Sequence, residues 1–199
     1  MEVSNEQAIL EAAEKLFLER GFALTSTADI ASLAGCNTAL IHYYYRTKSK
    51  LFETVFRAKI RLFIDGFLNI ELSNLDFEQK IRAIVEGHFD FISANRQLPF
   101  LLINEFTTNP AAVDDLKNEI GKNAAGLLDL VQQAIDQDVA SGKINNISAA
   151  DLIFTIASLN VMTFLLLPVL TQVGLVQQDE FLITRKKEIV QTIVNSLKI

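Results

Sequence analysis

GFALTSTADIASLAGCNTALIHYYYRTKSKLF, residues 21–52, carries the local signals of two short helices bent around a glycine. Thr25 or Ser26 can cap a helix beginning near Thr27, because a hydroxyl accepts one of the open N–H groups of a first turn. Asp29 falls in that turn, where negative charge suits the helix dipole. Ile30, Leu33 and Ala34 give this helix an apolar side. Gly35 supplies the left-handed residue that a chain leaving a helix needs. Asn37 or Thr38 can cap the next helix, and helix, glycine turn, helix is the helix-turn-helix pattern.

The second helix divides into two faces. Leu40, Ile41, Tyr44 and Tyr45 are expected to turn inward, with Tyr44 and Tyr45 read as core. Thr38, Ala39, His42 and Tyr43 share the other side, a small, hydrogen-bonding and aromatic set suited to base edges and phosphates. Arg46, Lys48 and Lys50 follow and offer charge to a phosphate backbone, although Lys50 reads equally as a solvated helix residue. Between Thr27 and Ile60 there are five basic residues and two acidic ones, in a chain whose net charge is -6. Residues 61–199 carry 11 basic and 17 acidic residues, so the nucleic-acid face is expected at the N-terminal end.

Residues 6–55 resemble the DNA-binding domain of the TetR family of bacterial transcriptional regulators. The likeness rests on Ile9, Ala12, Ala13, Leu16 and Phe17, then Gly21-Phe22, Thr25-Ser26-Thr27, Ile30-Ala31, Ala34-Gly35, Tyr43-Tyr44-Tyr45 and Thr47-Lys48. The resemblance implies phosphate contacts from Thr27 and Lys48, and DNA contacts from Asn37, Thr38, Ala39, His42 and Tyr43. Many members carry Lys at the position of Thr38, Gly at Ala39 and Phe at Tyr45. Without that Lys the reading face is neutral, so bidentate guanine recognition from it is not expected. Thr38 and Ala39 are then expected against thymine methyls, Tyr43 on a phosphate, and His42 on a base or on the backbone.

The remainder reads as a helical second layer in an all-α protein. An N-terminal three-helix helix-turn-helix domain, 1–48, is joined rigidly to a helical ligand-binding and dimerisation domain, 49–199, by a helix that runs unbroken from near Ser49. Asp76 opens a helix ending at Asn95 to Gln97, Pro99 suits the first turn of the next, and Asn109-Pro110 starts another. One apolar spacing runs from Ile120 through Leu127, Leu130 and Val131 to Ile135, and Ser148 caps a helix 149–167 with Pro168 near its end. A last helix covers 180–198. Leu152–Leu167 is 16 residues without charge, short of the roughly 20 of a membrane span, and the polar N-terminus does not resemble a signal peptide. A cytoplasmic protein with no membrane partner is expected, and the single cysteine, Cys36, excludes an internal disulfide.

A helix apolar on most sides needs cover on most sides. The resemblance implies that 149–167 and 180–198 pair with their twins in a homodimer, which suits paired half-sites of a double-stranded DNA operator. It also implies a pocket for a small inducing ligand among the middle helices. The chain has 14 phenylalanines and no tryptophan. Gly66 and Gly87 inside expected helices permit close packing or leave space. Phe63, Phe67, His88, Asn104 and Asn160 are the candidate ligand contacts, with Glu105 a further polar group in an apolar run. A core role for His88 competes with a pocket role. The expected function is a ligand-released repressor of transcription. A ligand-independent or activating regulator is the alternative, and an all-helical enzyme the remote one. No cofactor, metal or catalytic constellation is expected, because His42 and His88 stand far apart and neither an HExxH nor a phosphate loop is present.

Overall fold

The computed structural model describes residues 4–68, 75–123 and 126–198; for 66–68, 122, 123, 127 and 130 it describes the backbone. The fold is all-α, and among the described residues the only β feature is an isolated bridge between Ile144 and Lys198. The helices are α1 (Asn5–Leu24), α2 (Thr27–Ala34), α3 (Thr38–Tyr45), α4 (Lys48–Leu68), α5 (Phe77–Ala94), α6 (Leu98–Thr108), α7 (Pro110–Asn123), α8 (Leu127–Ala140), α9 (Ala149–Gln172) and α10 (Gln178–Leu197). They form two compact units, Met1–Leu62 with Phe100–Lys117, and Phe63–Pro99 with Asn118–Ile199.

In the first unit α1, α2 and α3 pack on one another. Ile9, Ala13, Phe17, Ile30, Ile41, Leu51 and Ile60 are among its fully buried apolar groups. Both short helices begin on side-chain caps. Ser26 Oγ accepts the Asp29 N–H at 3.1 Å while the Asp29 carboxylate accepts the Ser26 N–H at 3.1 Å and its hydroxyl at 2.6 Å. These bonds, first that of the Ser26 side chain, hold the Asp29 pKa below its ordinary value. Ser26 is thus the cap, and Thr25 is buried with another task, described below. Ser26→Ala is expected to lower stability by about 1 kcal/mol, read as a lower urea midpoint with an unchanged slope. Gly35 ends α2 at φ 67, where a side chain would be strained, and its N–H closes on the carbonyls of Ala31 and Ser32. Leu33 departs from the expected apolar side: it is 47% exposed, because an eight-residue helix buries only the stripe of Ile30 and Ala31.

In the second unit α5, α9 and α10 pack mutually and α8 lies on α9. Ile81, Val85, Phe89, Ile156, Phe164 and Ile193 are central to this core. Asp76 caps α5 in a capping box with Gln79, and Ser148 caps α9. Two expectations need correction. The apolar spacing from Ile120 to Ile135 belongs to two helices, since α7 stops at Asn123 and Gly126 takes the left-handed region before α8. The helix expected over 149–167 runs on to Gln172 with Pro168 inside it, while α10 covers Gln178–Leu197. Proline forfeits one ladder bond, but the ladder resumes beyond it. The true end comes where the N–H groups of Val173, Gly174 and Leu175 close on Val169, Thr171 and Leu170. By length and composition α9 could cross a membrane, and 33% of its most apolar window is buried.

Candidate nucleic-acid interface

α3 owes its start to Asn37, whose Oδ1 accepts the Leu40 N–H at 3.0 Å, leaving the Asn37 Nδ2 group as a donor. Its inward side is Ile41 and Tyr45, and burial pushes the Tyr45 phenol up from its ordinary pKa. Thr38, Ala39, His42 and Tyr43 are all exposed, Tyr43 at 69%, on the face where the sequence places them. Tyr44 does not join Tyr45 in the core: it is exposed and meets Tyr43 edge-on at 5.1 Å. With two turns of helix, one inward stripe is all that α1 and α2 can cover.

The end of α3 is tightly bent. The Thr47 N–H reaches the Tyr45 carbonyl at 2.7 Å, around Arg46 at φ 64 and ψ -49. This is a γ-turn of the rarer, strained kind, at a residue that is not glycine. His42 holds it. Its Nδ1 lies 2.9 Å from the Arg46 carbonyl, and a carbonyl can only accept, so Nδ1 carries the proton. The neutral ring then offers Nε2 as an acceptor on an exposed side chain.

The basic residues behind this turn separate into distinct roles. Lys50 pairs with Glu53 at 2.7 Å, Arg57 with Glu53 and Asp115 at 2.9 Å each, and Lys59 with Glu14 at 2.5 Å. Lys48 Nζ donates to the carbonyls of Phe22 and Thr25 at 3.0 Å each and sits 4.1 Å from the Phe22 ring centre. Those carbonyls lie at the end of α1, where Gly21 (φ 75) breaks the helical path and leaves acceptors open. Thr25 completes the closure, its hydroxyl shared between Gly21 O at 2.8 Å and Leu16 O at 3.2 Å. Arg46 is different: exposed, its guanidinium has no ion pair or hydrogen bond among the described residues. In the sequence Arg46 offers positive charge without a named contact, and its place directly after the tyrosines is the one signal of its role. Thr27, half-buried, opens α2.

The candidate ligand contacts separate as well. His88 and Asn160 are both fully buried in the second unit. Asn160 Nδ2 donates to the Val85 carbonyl at 3.0 Å and lies 3.1 Å from His88 Nδ1, which is therefore the unprotonated ring nitrogen. Burial drives the His88 pKa down to about 4. Phe63 meets that imidazole edge-on at 6.1 Å. Asn104 is exposed in the other unit, its Nδ2 3.5 Å from Glu105 Oε1. The Phe67 and Gly66 side positions lie outside the described residues.

A capped short helix, a glycine turn and a second capped helix with an exposed polar face, seated on α1, constitute a helix-turn-helix domain. Residues 9–55 match the family model described as bacterial regulatory proteins, tetR family. It is 25% identical over 63% of its length to the HTH-type transcriptional activator FasR of Mycolicibacterium smegmatis, and 31% identical over 49% of its length to the HTH-type transcriptional repressor NicS of Pseudomonas putida. The match spans 58% and 46% of those two proteins. A solved transcriptional regulator structure from Streptomyces coelicolor shares the fold, with a TM-score of 0.72 at 18% identity over 98% of both chains.

Proposed function

We propose that this chain is a homodimeric transcriptional repressor that binds a palindromic operator in double-stranded DNA and is released by a small apolar or aromatic ligand. The carrying observation is the exposed face of α3 beside the uncommitted guanidinium of Arg46. Residues 1–48 do the reading, and 49–199 hold the ligand and the dimer. Arg46 and Tyr43 bind phosphates, while Thr38, Ala39 and His42 face the bases from the major groove. Asn37 contributes its free amide, and Thr27 meets the backbone from the start of α2. Lys48 acts there chiefly by fixing the end of α1. Such a protein works in the cytoplasm.

Outward-facing Phe154, Met162, Leu166, Val169 and Val173 of α9, with Ile183 of α10, support a twin packed against these two helices. A ligand near Phe63, His88 and Asn160 would find one buried polar pair in apolar surroundings. It releases DNA to the extent that it prefers the non-binding conformation. The activator named among the relatives favours a second reading, the same operator binding with the opposite sign of control.

Selection from random duplexes, followed by gel shift across a salt series, tests the operator. A two-fold site and a steep loss of affinity with salt are expected. Arg46→Ala should weaken all sequences about equally and reduce the salt slope by about 1. Recovery of no preferred sequence would remove the repressor and activator readings together.

A further inference from the structure

The unit that carries α1–α3 also contains a cavity of about 420 Å³ that the DNA-reading face does not use. Its floor is aromatic: Phe52 stacks on Phe56 at 5.8 Å, and Phe22 meets Phe52 at 5.0 Å. Its walls bring in three carboxylates, Glu53, Glu105 and Asp115, and one cation, Arg57. Arg57 is engaged by Glu53 and Asp115. Glu105 stands apart from that network. Only 7% exposed, it makes no ion pair among the described residues, and the one hydrogen bond to its carboxylate there is the long contact from Asn104, its neighbour along α6.

A carboxylate withdrawn from water is costly unless a positive charge meets it. Phenylalanine faces attract cations, more strongly where water is excluded. The same rings already do so once, since the Lys48 ammonium lies over Phe22. A cavity of this volume suits a small organic molecule. We propose that it binds a small organic cation with an apolar or aromatic body, the ammonium placed on Glu105 and the body on Phe22, Phe52 and Phe56. Phe22 is also the residue whose carbonyl anchors Lys48, so occupancy acts where α1 is tied to the start of α4. The consequence for operator affinity rests on the DNA-binding reading above, whereas the binding itself does not.

The test is calorimetric titration of the full-length protein with phenethylammonium, its neutral counterpart 2-phenylethanol, and phenylacetate. Phenethylammonium should bind once per chain, at least tenfold tighter than 2-phenylethanol, and phenylacetate should give no heat. Glu105→Gln keeps the shape and removes the charge, so it should weaken phenethylammonium at least tenfold and leave 2-phenylethanol unaltered. Ala111→Phe, at an exposed position on the cavity wall, should weaken both, and it decides between the outcomes if thermal melts find Glu105→Gln unfolded. Equal affinity for the cation and the alcohol, or cation binding undiminished by both substitutions, overturns the site. Gel shifts with phenethylammonium form the second arm. Cation binding with unchanged operator affinity overturns the regulatory half, while cation binding by a protein with no operator overturns the proposed function and leaves the site standing.

Discussion

On the proposed dimeric reading, Leu166→Glu should give monomers and abolish tight operator binding. Leu166 lies on the outward side of α9 with Phe154, which is 72% exposed, and with Met162 and Val169. Burying a leucine side chain is worth roughly 1.5–3 kcal/mol, and two-fold symmetry applies the loss twice. The carboxylate adds a desolvation cost that a twin at the same position cannot neutralise. A rise in the dimer dissociation constant of at least about 100-fold follows. Sedimentation at micromolar concentration reads the first effect and a gel shift the second, because two half-sites require two reading helices. A variant that sediments as a dimer would place the interface on another surface.

The second large effect is in pH. His88 is held at a pKa of about 4 by burial, against an ordinary value near 6.5, so the folded protein refuses a proton that the unfolded chain accepts. Between these values the unfolded state binds more protons, and stability rises with pH. The contribution of neutral His88 is therefore complete above about pH 6.5 and is lost as pH falls toward 4. It amounts to about 3 kcal/mol across that window. Urea unfolding at pH 7, 6, 5 and 4 should show the loss in the native protein. His88→Gln should flatten the difference, since an amide keeps hydrogen-bonding capacity and does not titrate. Parallel curves for the two proteins would mean that other groups govern the acid sensitivity.

The parts of the fold written in local chemistry are readable directly. Gly35, Asn37, Asp76 and Ser148 each act through groups a few residues away, and each helix boundary they mark is found where the spacing puts it. Ser26 and Thr25 are indistinguishable as caps in sequence because both carry hydroxyls. What separates them is the broken end of α1, which claims Thr25. Tyr44 and Leu33 depart from expectation for a related reason: periodicity names a possible inward stripe, and the width of that stripe depends on what covers it. Pro168 reads as a stop because the loss of one ladder bond is local, while the packing of Phe164 and Leu167 that carries the helix through is not. Arg46 and Lys48 look alike in sequence. Only the fold reveals that one is committed to backbone carbonyls and the other is available. Glu105 is visible as a polar interruption, but nothing linear brings it beside Phe52 and Phe56.

The Lys48 clasp has a mechanical consequence. One ammonium ties the first residues of α4 to the last turn of α1, and the hairpin-tight bend at Arg46 leaves almost no slack between α3 and α4. The three-helix head therefore behaves as a single lever on the end of α4. On the proposed function, a change reaching the start of α4 would move α1 and α3 together.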